Sequence, residues 1–335
     1  MGREILIVGL SEIGGSIGLA IRRGGRHVTC TGYDADSSTA RAARKTGAVE
    51  KLALGLARAV GAADLVILAL PSGQVRGYLE AVGPRLKAGA LVLDTSWLKG
   101  AAMGWAAEFL PEGRYYIGAV PSVAPGALHS GALGASQPRA DLFEGGLIAL
   151  VIPARTPEAT VDLALEVASW LGAEPFFIDP VEVDAVTATV EDLPVLLGAA
   201  LMRAAVRSPG WREARRMAGR LFAASAIVGA LQAPSELQAG LSLNRLNVLT
   251  RLDTAIEELQ ALRALIARGD EEGLEKRLAE AVEAHYVWLA ARSRGDWAQE
   301  EIAPVEVPQG GILDRLLGIG GLRAKDQRRD SQPRP

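Results

Sequence analysis

Short apolar runs recur along the first 180 residues, at 5–10, 28–33, 65–70, 91–94, 116–119, 147–152 and 175–178, and most are continuous rather than alternating. A strand that is apolar on both faces is covered on both faces, which predicts a parallel sheet between two helical layers. The intervening stretches, among them 72–86, 97–109 and 157–171, carry helical spacing. Strand–helix–strand alternation of this length predicts right-handed crossovers and a Rossmann-type, doubly wound α/β sheet over residues 1–179.

The pattern changes at Asp179-Pro180. Beyond it no strand is predicted, and residues 181–208, 211–231 and 235–293 read as long helices, punctuated at Pro209-Gly210 and Pro234 and broken again at Gly269-Asp270. Leu249, Leu252, Ile256, Leu259, Leu262 and Ile266 follow one another at steps of three or four, an apolar stripe along one helical face. Residues 180–293 therefore predict an all-α domain whose striped helices bury against a second copy, making a homodimer. Residues 294–335 predict a tail with one short amphipathic helix at 312–319 and a polar end.

Composition narrows the function. The chain has 335 residues with 36 Lys+Arg against 39 Asp+Glu, so it is no polycation built to coat nucleic acid. Hydrophobic residues at 49% supply a large core and exclude global disorder. A single cysteine, Cys30, excludes a disulfide framework and a cysteine metal cluster, and three scattered histidines argue against a zinc site. The apolar start at 5–21 is interrupted by Glu12 and four glycines and reads as a buried strand entering a helix, not as a signal peptide. The apolar run 193–202 is too short to span a bilayer and stops at Arg203. A cytoplasmic protein with no membrane partner is expected.

The first chemistry-bearing segment is Gly9-Leu10-Ser11-Glu12-Ile13-Gly14-Gly15-Ser16. It follows the first strand and opens a helix, as a dinucleotide fingerprint does, although Ser11 stands where the middle glycine is usual. The helix N-terminus still offers amides and a positive dipole end to a pyrophosphate. Asp34, at the end of the second strand and 20 residues after Gly14, is placed to accept hydrogen bonds from ribose hydroxyls. A carboxylate there favours NAD over NADP, whose extra phosphate would meet a negative charge. The alternative is a glycine-rich turn that binds another nucleotide or none.

At this point the sequence resembles the prephenate/arogenate dehydrogenase family over most of its length, to about residue 293. The resemblance rests on the order of Gly9–Ser16, Gly32-Tyr33-Asp34, Ala63–Pro71, Asp94-Thr95-Ser96-Trp97-Leu98-Lys99-Gly100, Ala140–Gly145, Leu193-Pro194, Gly210-Trp211-Arg212-Glu213 with Arg216, and Asn244-Arg245. It implies a nucleotide domain followed by a helical dimerisation domain, and an oxidative decarboxylation in which a ring hydroxyl carbon gives a hydride to NAD(P)+. Implied cofactor contacts are Gly9, Ser11, Glu12, Ile13, Gly14, Asp34, Leu70 and Pro71. Lys99 keeps its place in the family's Asp-x-x-Ser-x-Lys segment and Ser96 stands one residue before the serine position; they are the candidate catalytic pair, with an ordinary helix N-cap the alternative for Ser96 and a first-turn surface lysine the alternative for Lys99. Arg216, with Arg212, would hold the carboxylates of a small anionic substrate.

The sequence departs from the family pattern in three places. Val120 stands where a histidine of a His-Pro pair takes the substrate hydroxyl's hydrogen bond, Trp97 where the serine is expected, and Glu191-Asp192 in place of a Ser-His pair. Losing a positioned acid–base group costs about 10²–10⁴-fold in rate. His129, Glu191 and Asp192 are the candidates to take its place, and a catalytically silent, nucleotide-binding dimeric sensor is the alternative to an enzyme. Arg212, Arg216 and Arg220, spaced by four, are expected on one helical face, either as a carboxylate-binding stripe or as a solvated basic surface.

Overall fold

The computed structural model describes residues 2–24, 27–128, 137–226 and 233–295. His129 and the expected helix at 312–319 lie outside the described residues. The chain divides into two compact units, Met1–Ala261 and Leu262–Pro335.

The first unit opens with β1 (Arg3–Val8), α1 (Glu12–Gly24), β2 (Val28–Tyr33), α2 (Ser37–Lys45), β3 (Lys51–Leu52), α3 (Leu56–Ala62), β4 (Leu65–Leu68), α4 (Ser72–Val82), β5 (Leu91–Asp94), α5 (Gly100–Phe109) and β6 (Tyr115–Pro121). Then come β7 (Leu147–Val151), α6 (Glu158–Leu171) and β8 (Glu174–Phe177). The eight strands form one sheet in the order β3-β2-β1-β4-β5-β6-β7-β8. Strands β1 to β6 pair in parallel, and the order reverses between β1 and β4, which is the switch point of a doubly wound sheet. Two apolar clusters cover its faces. One joins Ile5, Ile7, Ile17, Ile67 and Leu93 to α1 and α6, and the other joins Leu6, Val8, Val66, Leu68 and Val92 to α4 and α5.

β7 runs antiparallel to β6, with Ala119 opposite Leu150, so the parallel expectation fails at this step. A parallel neighbour would require a crossover helix. In the described part of the connection from β6 to β7 the only helical turn is the three-residue Pro125–Ala127, and the chain returns alongside the strand it has just left. The two-residue β3 was also not foreseen, because two residues carry no periodicity.

Helices follow: α7 (Pro180–Thr187), a π-helical stretch (Ala188–Asp192), α8 (Leu193–Arg207), α9 (Trp211–Met217), α10 (Arg220–Ser225), α11 (Pro234–Leu243), α12 (Arg245–Arg268) and α13 (Glu271–Arg294). Two expectations change here. The π stretch fuses α7 and α8 into one helix of 28 residues with a window of mean hydropathy 1.5, long and apolar enough by length and composition to cross a membrane. A helix over 181–208 is itself expected from the sequence; the expectation that its apolar run is too short to span a bilayer counts residues 193–202 alone and leaves out Val181, Val183 and Val186. Secondly, the helix expected over 211–231 breaks at Ala218-Gly219, where the backbone is extended. Arg220 therefore starts a separate helix and shares no helical face with Arg212 and Arg216.

In the second unit, Asp270 caps α13 by accepting from the Gly273 amide at 2.9 Å. Ile266, Leu278, Val282 and Trp288 are exposed.

Candidate active site

Because β1, β2, β4, β5 and β6 are parallel, the residues after each of them gather along one edge of the sheet. Gly9 follows β1, Asp34 follows β2, Leu70-Pro71 follows β4, and Thr95–Lys99 follows β5, while Val120 lies at the end of β6. This is the edge at which ligands bind in doubly wound sheets.

The turn after β1 fits a nucleotide diphosphate. Gly9 has φ +87°, and a Cβ there would lie 2.2 Å from the Ala69 carbonyl oxygen; a Cβ on Gly14 would lie 1.8 Å from the Gly9 carbonyl oxygen. Any side chain would force β1, β4 and α1 apart at this turn. The first backbone bond of α1 runs from Gly15 N to Ser11 O at 2.8 Å, so the amides before it point out of the helix end. Ser11 is exposed, with room for its hydroxyl beside a bound anion. The half-buried Asp34 carboxylate accepts from the Leu10 amide at 2.7 Å and the Asp36 amide at 2.8 Å, so it braces the turn as well as standing at the ribose position. Leu70 and Pro71 are half-buried at the end of β4.

The segment after β5 is organised by a buried ion pair. Asp94, at 0% exposure, accepts from Ser96 N (2.9 Å), Ser96 Oγ (2.9 Å), Tyr116 Oη (2.8 Å) and Lys99 Nζ (2.9 Å). Lys99, also at 0%, donates in addition to the Asp94 carbonyl at 2.7 Å. Its stem needs Gly118, where a Cβ would sit 2.6 Å from Lys99 Cδ. Burial pulls the Lys99 ammonium below its ordinary pKa, against the opposing pull of Asp94, and pushes the Tyr116 phenol well above its own. Lys99 is thus no surface lysine, and the carboxylate it pairs with is the chain's own. Likewise the Ser96 hydroxyl is turned inward to Asp94 and does not cap α5.

Helix α7 is fastened over this segment. The Asp184 carboxylate accepts from Lys99 N at 2.7 Å and Gly100 N at 3.1 Å, and Thr187 Oγ1 donates to the Trp97 carbonyl at 3.2 Å. Burial raises the Asp184 pKa, opposed by those two amides. Asn244, nearly buried, donates to both the Asp184 carbonyl (2.9 Å) and Asp192 Oδ2 (3.0 Å), tying α7 and the π stretch to the start of α12. Sequence reasoning missed Asp184, Thr187 and Tyr116. The available signal was Asp184 as an acid between Val183 and Ala185 in an otherwise largely apolar helical run.

Val120 lies in an apolar cluster with Ala149, Val151 and Val183, against which Trp97 packs. Two of the three places where the sequence departs from the family pattern, Val120 and Trp97, are therefore in one cluster. Glu191 is half-buried, and burial followed by the neighbouring Asp192 pushes its pKa up to about 7. Arg212 and Arg216 are exposed on α9, and neither makes a hydrogen bond or ion pair with the strand-end segments among the described residues. Trp211 packs its ring against Phe222 at 5.8 Å.

Comparison with known proteins assigns the chain. Residues 17–175 match the nucleotide-binding domain of prephenate dehydrogenase, and residues 179–280 match its dimerization domain. The glycine turn itself precedes the first match. A prephenate dehydrogenase of Bacillus subtilis is 27% identical over 276 residues, 82% of this chain and 73% of that protein. A crystal structure of prephenate dehydrogenase from A. aeolicus, in complex with hydroxyphenyl propionate and NAD+, superposes with a TM-score of 0.72 at 23% identity, covering 84% of this chain and 96% of that one. A Synechocystis arogenate dehydrogenase gives 0.63 at 23% identity, over 83% and 96%. With a mostly parallel nucleotide-binding sheet leading into helices, and both domain types matched in order, the chain belongs to the prephenate dehydrogenase family.

Proposed function

We propose that this protein oxidises prephenate, arogenate or a closely related ring hydroxy acid with loss of carbon dioxide, using NAD. The observation that carries this reading is a shared edge: a turn shaped for a diphosphate lies on the same margin of the sheet as a segment bolted to an overlying helix by Asp184. NAD+ bound there supplies the carbon that takes the hydride. Aromatisation of the ring provides much of the driving force, so the chain's own task is to orient the ring and move one proton.

In this reading the backbone around Ser11, Glu12, Ile13 and Gly14 holds the pyrophosphate and Asp34 the ribose, with Leu70 and Pro71 beside the dinucleotide. Ser96 and Lys99 act through Asp94 by fixing the segment that bears Trp97. Arg212 and Arg216 supply guanidinium forks for the substrate's carboxylates. Val190, Leu197, Leu201 and Val206 on the fused helix, and Leu249, Ile256 and Leu259 on α12, are exposed; a homodimer would cover these faces. Asp184 and Asp192 of the fused helix are bonded within the folded unit, which favours a cytoplasmic protein over a membrane span.

Val120 and Trp97 support a second reading, a nucleotide-binding dimer without catalysis, because apolar groups stand where proton transfer is expected. Purified protein given NAD+ with prephenate or with arogenate separates the two. Formation of NADH, read by its absorbance, establishes the enzyme. No NADH together with calorimetric NAD+ binding establishes the silent reading.

A further inference from the structure

The face of α7 that meets the strand ends can be followed residue by residue. Val183 packs into the cluster of Val120 and Trp97, Asp184 holds the Lys99 and Gly100 amides, and Thr187 donates to the Trp97 carbonyl. Val183 and Thr187 are four apart, and Glu191 is four residues further on, inside the next turn of the same continuous helix. The turn between them is the π stretch Ala188–Asp192, in which each turn takes in more residues than an α-helical turn. Such bulges re-aim side chains and are frequent at functional sites.

The two acids of the stretch are not equivalent. Asp192 is occupied, accepting from Asn244 at 3.0 Å. Glu191 is half-buried and makes no hydrogen bond or ion pair among the described residues. The charged groups on the elements that meet it are Asp192 beside it, Asp184 and Glu182 on α7, Arg203 and Arg207 about three turns or more along α8, and Arg245 at the start of α12, next to the Asn244 that binds Asp192. None of these cations forms an ion pair with Glu191 among the described residues.

We propose that Glu191 is the proton acceptor for the substrate hydroxyl, the role that Val120 cannot fill. The inference rests on the reaction proposed above. As the hydroxyl-bearing carbon gives its hydride to the oxidised cofactor, the electron pair of the bond to the departing carbon dioxide enters the ring. The hydroxyl proton passes to the Glu191 carboxylate and returns to the oxygen once the ring is aromatic, so protons and electrons balance with no other reactant. A carboxyl whose pKa burial has brought to about 7 is matched to taking and returning a proton near neutral pH.

The test compares wild type, Glu191→Gln and Glu191→Asp in NADH formation across pH, with calorimetric NAD+ binding measured on each. We expect Glu191→Gln to lower kcat by about 10²-fold or more, with NAD+ affinity unchanged. The acidic limb of the wild-type kcat/KM profile should lie near pH 7 and be displaced in Glu191→Asp. Wild type that makes no NADH from either substrate overturns the proposed reaction and this role with it. Active wild type with Glu191→Gln retaining a third or more of kcat overturns the Glu191 role alone. If Glu191→Gln also loses NAD+ affinity, Glu191→Asp decides: a displaced limb supports the role and an unmoved one overturns it.

Discussion

Replacing Lys99 by methionine isolates the worth of the buried ion pair. Methionine keeps most of the stem that passes Gly118, so the cavity contribution is small and the change is the loss of an ammonium. Asp94 keeps Ser96 N, Ser96 Oγ and Tyr116 Oη as donors but has no compensating charge at 0% exposure. Breaking a buried pair from one side costs about 3–5 kcal/mol, against roughly 0–1 kcal/mol for a surface pair. For a unit of this size that lowers Tm by on the order of 10 °C. Removing both charges in Lys99→Met/Asp94→Asn leaves hydrogen-bonded neutral groups, and at least half of the loss should return. Circular dichroism melting of the four proteins of the cycle measures this. A single-variant loss below about 1 kcal/mol, or strict additivity in the double variant, would refute the assignment of Lys99 to a buried charge pair.

Four further outcomes follow from the same geometry. Glu191, raised from 4.5 to about 7, stabilises the fold when protonated; that contribution is full below about pH 4.5 and is lost as pH rises through 7. Glu191→Gln should therefore melt higher than wild type at pH 8, by about 3 kcal/mol at most, and equally at pH 4; a pH-independent difference would count against the burial of the carboxyl. Asp34→Ala removes both the acceptor of the Leu10 amide and the ribose acceptor, so calorimetric NAD+ affinity should fall at least tenfold, and unchanged affinity would mean that neither contact matters. Arg216→Ala should weaken binding of a dicarboxylate far more than binding of NAD+, equal losses of both speaking against a substrate role. Val120→His alone places an imidazole against Trp97 and Ala149 and should lower Tm, whereas Val120→His with Trp97→Ser opens space and should raise NADH formation; a double variant no more active than Val120→His would show that the scaffold no longer uses that position.

The sequence alone determined the α/β-then-α organisation, the strands other than β3 and the glycine turn with its acidic partner, because these depend on local periodicity and on residues close along the chain. The π turn inside the helix expected over 181–208, the break that parts Arg220 from Arg216, and the reversal at β7 were decided only by three-dimensional packing. The inner machinery shows why. Asp94 and Lys99 are five residues apart and read as a motif, but that they are buried and paired depends on Gly118 and Tyr116 of the adjacent strand. Asp184 reaches the Lys99 amide across 85 positions of sequence, and Asn244 closes on Asp184 and Asp192 from 60 and 52 positions away. No pattern along the chain encodes such meetings, since burial and charge pairing are properties of the neighbours that folding supplies.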